Sequence, residues 1–295
     1  MTLIEFQTTF GTEEQCRQYL FEKRWSEGFI CPKCNHNEYY NIICRNRYQC
    51  KACNYQASVT AGTLMDKTRT PLVKWFMAMH LMSSDKRGIS ALTLKSQLKI
   101  SYNTAWTMCQ KIRRAMGKRN DDYVLSGIIE FDDAFFGGSS EGGKRGRGTE
   151  KTAVLVSVSL NDKGKPKNAK IDVIENVDGE TIVEFAKDNI QPGSEIRTDG
   201  FPVYSPLKEE GYSLVMKKFD PKKDPNHLHW THIIISNAKA FITGTFHGLD
   251  KIHLQYYLDE FCFRFNRRFK PESIFNSLLN ASVCFGIIRN YELTR

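Results

Sequence analysis

Two cysteine pairs, Cys31-Pro32-Lys33-Cys34 and Cys50-Lys51-Ala52-Cys53, constrain this chain more than any other feature. Fifteen residues separate them. Each pair is a tight knuckle that presents two thiolates, and two knuckles surround one tetrahedral ion, so the spacing reads as a structural zinc site. A segment this short has too little core to fold alone, and the metal supplies the missing stability. Two disulfides are the competing account. The chain has nine cysteines, no N-terminal signal pattern and no long uncharged apolar run. That combination predicts a cytoplasmic protein with no membrane span, in which thiols stay reduced and ligate metal. Cys44 falls between the pairs but outside the spacing, and His36 is superfluous to four matched cysteines. Arg45, Arg47, Tyr48 and Lys51 form either a basic, aromatic surface suited to phosphate contact or a merely solvated hairpin.

At 295 residues the chain can hold more than one domain, and its formal charge of +9 favours a polyanionic partner, nucleic acid above all. Ahead of the knuckles, Thr12 can cap a helix through Glu13, Cys16, Tyr19 and Leu20, with Cys16 on its apolar face. Behind them, Thr70-Pro71 starts a helix marked by Leu72, Trp75, Phe76, Met79 and Met82 and ending near Gly88. Residues 89–116 then read as two helices broken at Ile100-Ser101. Leu92, Leu94 and Leu98 mark the first; Ala105, Met108 and Ile112 mark the second, with Ser101 as its cap. The second would expose Asn103, Thr104, Thr107, Lys111, Arg113 and Arg114, the pattern of a helix-turn-helix with a polar, basic recognition helix. Residues 117–122 read as a polar linker and a domain boundary.

Beyond it the texture changes to alternating strands and helices. Gly127 to Gly138 is mostly apolar, at a length that suits a strand buried on both faces, yet carries Asp132 and Asp133 in its middle. A buried charge needs a partner, and either a divalent metal or a salt bridge would serve; the stretch alone does not choose. A glycine-, lysine- and arginine-rich loop follows over 137–151, suited to a phosphate backbone or simply a flexible hairpin tip. Two more strands are expected over 153–160 and 170–176, joined by the Asn161-Gly164 turn. A helix then starts at Asp178, and a short fourth strand runs over 195–198 into Asp199. Three strands, a helix and a fourth strand ending in Asp is the order of a ribonuclease-H-like core, in which the first and fourth strands pair and bring Asp132 beside Asp199. A two-metal phosphoryl-transfer site needs a third ligand from a later helix, and residues 228–239 are the candidate. His232 and Lys239, seven apart, share a helical face, whereas Asn237 points away. Either His232 or Asn237 could reach the metal, hardly both. The last helical stretch, 251–269, carries aromatics at helical spacing and ends in Arg264, Arg267, Arg268 and Lys270, which read either as a packed core with a basic end or as a surface facing DNA or a second subunit.

Several of these segments together resemble bacterial insertion-sequence transposases of the IS1595 (ISXO2-like) type. They are the ribbon, Ala61-Gly62-Thr63, Pro71 to Phe76, Glu130-Phe131-Asp132-Asp133 with Phe136-Gly137-Gly138, Gly146 to Lys151, Thr198-Asp199-Gly200, Ile235 to Lys239 with Gly244 to Gly248, and Lys251 to Arg268. The resemblance runs in order through roughly residues 13–270. It implies an α/β fold with a ribonuclease-H-like, DDE-type catalytic core behind a zinc ribbon and a helix-turn-helix region, divided as 1–60, 61–122 and 123–295. It implies cutting and joining of DNA with Mg²⁺. Carried over position by position, the metal ligands are Asp132, Asp199 and, where a third acid is usual, His232, with Asn237 as the alternative. An imidazole there predicts weaker Mg²⁺ binding and tolerance of Mn²⁺. Lys239 would contact phosphate, and Asp133 would support the site without ligating. The implied partners are the element's terminal inverted repeats, target DNA and further copies of the chain, in a bacterial, nucleoid-associated setting. An inactive DNA-binding relic or regulator and a ribonuclease-H-type host nuclease are the alternatives.

Overall fold

A computed structural model describes residues 1–137, 151–218, 220, 224 and 227–293. Most of the expected basic loop, with the Gly146 to Glu150 part of its motif, lies outside the described residues. The helices are α1 (Leu3–Phe10), α2 (Glu13–Arg24), α3 (Leu72–Ser84), α4 (Ala91–Leu98), α5 (Tyr102–Asp121), α6 (Gly179–Asn189), α7 (His229–Thr245), α8 (Leu254–Phe265) and α9 (Glu272–Cys284). The strands are β1 (Tyr39–Ile42), β2 (Arg47–Cys50), β3 (Gln56–Ala57), β4 (Ile128–Phe136), β5 (Thr152–Leu160), β6 (Pro166–Ile174), β7 (Glu195–Thr198) and β8 (Ser213–Met216). Two compact units emerge, Met1–Ala115 with Lys270–Arg295, and Met116–Phe269. This groups residues differently from the three-part division above: ribbon and helix-turn-helix share one unit, and the final helix joins them.

In the first unit the helix starts follow local chemistry. Thr2 with Glu5 and Thr12 with Gln15 form reciprocal capping boxes, so two of the free N–H groups at each helix start are satisfied without tertiary help. Ser90 and Ser101 cap α4 and α5, and Lys99 makes the turn between them in the left-handed conformation. The pair is two helices joined by a tight turn, as expected. Its second helix does not stop at residue 117 but continues to Asp121. Gly117 sits in it because a Cβ there would collide with the Asp259 carboxylate. Phe6, Phe10, Phe76 and Phe275 form an aromatic core that draws α9 onto α3. The ribbon packs its own rings: Phe21, Trp25, Tyr39 and Tyr48 lie with centroids 4.7–5.8 Å apart. Tyr48 is therefore a core residue, not part of the exposed basic surface.

The second unit is a five-stranded sheet in the order β6-β5-β4-β7-β8. β4, β5 and β6 form an antiparallel meander; β7 lies parallel to β4 and β8 parallel to β7. β4 thus lies inside the sheet, and its alternation splits between two faces. Ile129 and Phe131 pack with Leu155, Ile196 and α6. Ala134 and Phe136 pack with Val154, Val156 and α7 and α8. β8 is a strand that its own sequence did not announce. The basic residues of α8 and the turn after it serve packing. Arg264 pairs with the fully buried Glu260 at 2.8 Å. Arg267 lies 3.8 Å from the centre of the Phe263 ring and donates to the Tyr123 hydroxyl. Arg268 stacks on Phe265 and donates to the Pro166 and Lys167 carbonyls.

Candidate functional site

The ribbon's two knuckles are built alike. Asn35 and Asn54 each follow a CxxC pair in the left-handed conformation, and each donates its N–H to the carbonyl of the first cysteine at 3.0 Å. Asparagine tolerates that backbone better than most residues, which is why the turn closes there. The four sulfurs all lie within 4.8 Å of one another, with Cys31–Cys53 at 3.6 Å and Cys34–Cys50 at 3.5 Å. A zinc tetrahedron with ~2.3 Å bonds has edges of about 3.8 Å, so the donor set fits zinc. All nine cysteines are free thiols, which removes the disulfide account, and Cys44 is exposed. His36 turns instead towards Glu38, 3.8 Å away.

The second site lies where β4 and β7 run side by side. Their parallel register pairs Ile128 with Glu195, Ile129 with Ile196 and Glu130 with Arg197, a constant offset of 67 residues. The same offset, continued past the last paired residues, places Asp132 level with Asp199. Asp199 closes a turn by accepting the Phe201 N–H at 3.1 Å, and Asp132 accepts the Asp133 N–H at 2.9 Å. On the same face of the sheet His232, from the first turn of α7, brings Nε2 to 3.5 Å from Asp132 Oδ2. Burial raises the Asp132 pKa; His232 lowers it, and the charges of Asp133 and Asp199 raise it further. Clustered, half-buried carboxylates oppose each other's ionisation, and a divalent cation held by oxygen ligands relieves that opposition. Asp132 and His232 lie within reach of one such ion, and Asp199 is close enough for its charge to act on Asp132.

α7 starts without a local cap. Leu228 stands at that position in the left-handed conformation with no side-chain bond to offer. The cap comes from β4: the buried Glu130 carboxylate accepts both the Thr231 N–H, at 2.8 Å, and the Thr231 hydroxyl, at 3.2 Å. A carboxylate at a helix N-terminus satisfies a free donor and meets the positive end of the helix dipole. One strand face thus supplies both Asp132 and the group that seats the helix carrying His232.

Comparison with known proteins bears on this arrangement. Residues 124–266 match the ISXO2-like transposase domain, and residues 11–56 match the transposase zinc-ribbon domain. The chain is also 26% identical over 217 residues, 68% of its length and 72% of the relative's, to an uncharacterized protein in transposable element ISH50 of Halobacterium salinarum. The chain belongs to the IS1595-type, ISXO2-like transposases.

In this transposase, then, His232 meets Asp132, and Asp199 follows the end of the strand beside it. Asn237 is exposed and off their face. Lys239 lies two turns along α7, its Nζ 5.4 Å from the centre of the Phe136 ring. Asp133 points to the opposite face and accepts a 3.0 Å hydrogen bond from Tyr204. Glu130, Tyr204 and His227 were not singled out from the sequence. His227 is buried, with Nε2 3.0 Å from the Thr198 carbonyl beside Asp199. Only Glu130 had a sequence signal, two residues before Asp132 in an apolar strand and therefore on its face. On the transposase's helix-turn-helix, Asn103 is exposed, whereas Thr104, Thr107, Lys111 and Arg114 are partly covered. Arg113 is a buried residue that donates to the Ile89 carbonyl, not a surface contact. Arg114 lies 3.5 Å from the Glu292 carboxylate. Among the described residues no helix is long and apolar enough to cross a membrane.

Proposed function

We propose that this transposase binds the terminal inverted repeats of an insertion sequence and cuts and rejoins DNA strands at the Asp132/Asp199/His232 cluster. The observation that carries the reading is the strand register bringing Asp132 level with Asp199, with His232 3.5 Å from Asp132 on the same face. The meander, the crossing helix and the parallel fourth strand support a ribonuclease-H-like, DDE-type core. Asp132, Asp199 and His232 would hold Mg²⁺, or Mn²⁺ given the imidazole. The ion supplies Lewis-acid activation of an attacking hydroxyl and stabilisation of the leaving oxygen. The chain's own groups do the rest. Asp199 is fixed by its turn, Asp132 by the sheet and His232 by the Glu130 cap, so the donors are placed before substrate arrives. Lys239 would meet a phosphate of the bound strand. The ribbon, with zinc on Cys31, Cys34, Cys50 and Cys53, and the helix-turn-helix, led by Asn103, would recognise the element's ends. Joining two ends calls for more than one copy of the chain, acting in the cytoplasm on the nucleoid.

A catalytically silent DNA-binding regulator is the second reading, favoured by a histidine where a third acid is usual. Asp132→Ala separates them. Strand cleavage of end-bearing DNA in Mg²⁺ should be abolished while binding in a gel-shift assay is unchanged. Cleavage that survives the substitution would overturn the assignment, and a wild-type chain that binds ends without cutting them in Mg²⁺ or Mn²⁺ would favour the regulator.

A further inference from the structure

A cavity of about 520 Å³ opens at the far end of β4. Phe135, Phe136, Ile242, Phe246 and Leu249 line it, and Lys151, Lys239, Lys251 and His247 bring cationic or polar groups to its wall. Its size is that of a small-molecule site. Two independent measures place it relative to the carboxylates. Phe136 lies on the Asp132 face of β4, four residues on, about 13 Å along the strand. Lys239 lies seven residues beyond His232 on α7, about 10 Å along the helix.

The wall chemistry selects the occupant. Burial and the charge of Lys151 together hold the Lys239 pKa down, so the two ammonium groups feel one another. Among the described residues no ion pair joins Lys151, Lys239 or Lys251 to a carboxylate. Such a group of cations draws an anion. The aromatic floor beneath it needs a flat, apolar surface, which stacked and paired bases do not offer. An unstacked nucleotide offers both, its base to the rings and its phosphate to the cations.

We propose that this cavity receives one nucleotide of the bound DNA strand, its base swung out of the stack against the apolar wall of Phe136, Ile242 and Leu249 and its phosphate held by Lys151 and Lys251. The position along the strand follows, given the reading of Asp132 and Asp199 as the cleavage site. At ~3.4 Å of rise per nucleotide, 10–13 Å is three to four nucleotides from the cleaved phosphate.

The full-length protein tests this with 2-aminopurine placed, one position at a time, within six nucleotides of the element end. Fluorescence is read without divalent metal, and cleavage of the same DNA is read separately in Mg²⁺. A several-fold rise at one position, three or four nucleotides from the cut, is expected. Thr243→Phe fills the cavity from an exposed position on α7, so it should remove that rise while end binding in a gel shift persists. Lys151→Ala and Lys251→Ala should each reduce it at least twofold. Cleavage with no bright position, or brightness that Thr243→Phe leaves untouched, overturns the proposal. A bright position that Thr243→Phe removes, in a protein that cuts nothing, overturns the catalytic reading alone and supports the cavity as a nucleotide site.

Discussion

Burial first, and then the charges of Asp133 and Asp199, hold the Asp132 carboxyl above the ordinary carboxylate range despite the opposing effect of His232. A group whose folded pKa is raised stabilises the protein at low pH and loses that contribution as pH rises through the raised value. At neutral pH the ionised Asp132 therefore costs stability in the metal-free protein. Asp132→Asn should stabilise the metal-free protein at pH 8 by on the order of 1 kcal/mol, read as a higher melting temperature, and have little effect at pH 4. Under the proposed metal site, Mn²⁺ should raise the wild-type melting temperature, and the same substitution should erase that shift. Thermal melts across pH, with and without metal, check both. Glu130 predicts the opposite sign. Glu130→Ala strips the acceptor from two Thr231 donors, and losing hydrogen bonds to a buried charged group costs about 2–3 kcal/mol. Glu130→Gln, which keeps an acceptor oxygen, should recover most of it. Urea midpoints of the two variants against wild type decide.

β6 is an edge strand, and its free backbone groups would invite pairing with another chain. Two side chains of α8 and its C-cap close that edge. Asn266 exchanges both of its amide bonds with Ala169, at 2.7 and 3.0 Å, as a neighbouring strand would. Gln255 accepts from the Val173 N–H at 2.7 Å and donates to the Ile171 carbonyl at 3.1 Å. α8 thus serves as a substitute strand as well as a core helix. Asn266→Leu keeps the branched shape and removes the bonds. It should cost about 1–3 kcal/mol and shift the protein towards aggregates on size-exclusion chromatography, whereas the exposed Asn237→Leu should leave its elution unchanged.

The chain's last helix does not belong with the residues that precede it. α9 packs in the first unit, where Phe275 lies 6.0 Å from Phe6 and 5.8 Å from Phe10, and the Leu64 N–H donates to the Ser282 carbonyl. The ribbon and the α4–α5 pair therefore depend on a segment that follows the unit Met116–Phe269 in sequence. A chain ending at Phe269 should lose several kilocalories per mole from the first unit, the usual consequence of removing buried large apolar side chains. Calorimetry should show that unit's transition moved down by ten degrees or more and the transition of the unit Met116–Phe269 unmoved. Loss of both transitions together would mean that the units do not unfold separately.

Much of this was legible because it is written locally. The knuckle spacing, the caps Thr12, Ser101 and Asp178, and the apolar strand interrupted by Asp132 each depend on neighbours a few residues away. The pairing of β4 with β7 was legible for a related reason: two strands, once recognised, can lie side by side in few ways. What stayed hidden depends on partners far along the chain. Glu130 looks like a second acid until Thr231 arrives, 101 residues later, to use it as a cap. Arg113 and Arg267 look like surface charges until Ile89 and Tyr123 give their guanidinium groups a buried use. Tyr48 looks like part of a phosphate-binding face until Phe21 and Trp25 close over it. The sequence by itself determined the metal-binding knuckles and most of the elements. Only the tertiary structure decided which charged and aromatic groups are buried, because a side chain's solvation is set by what packs against it.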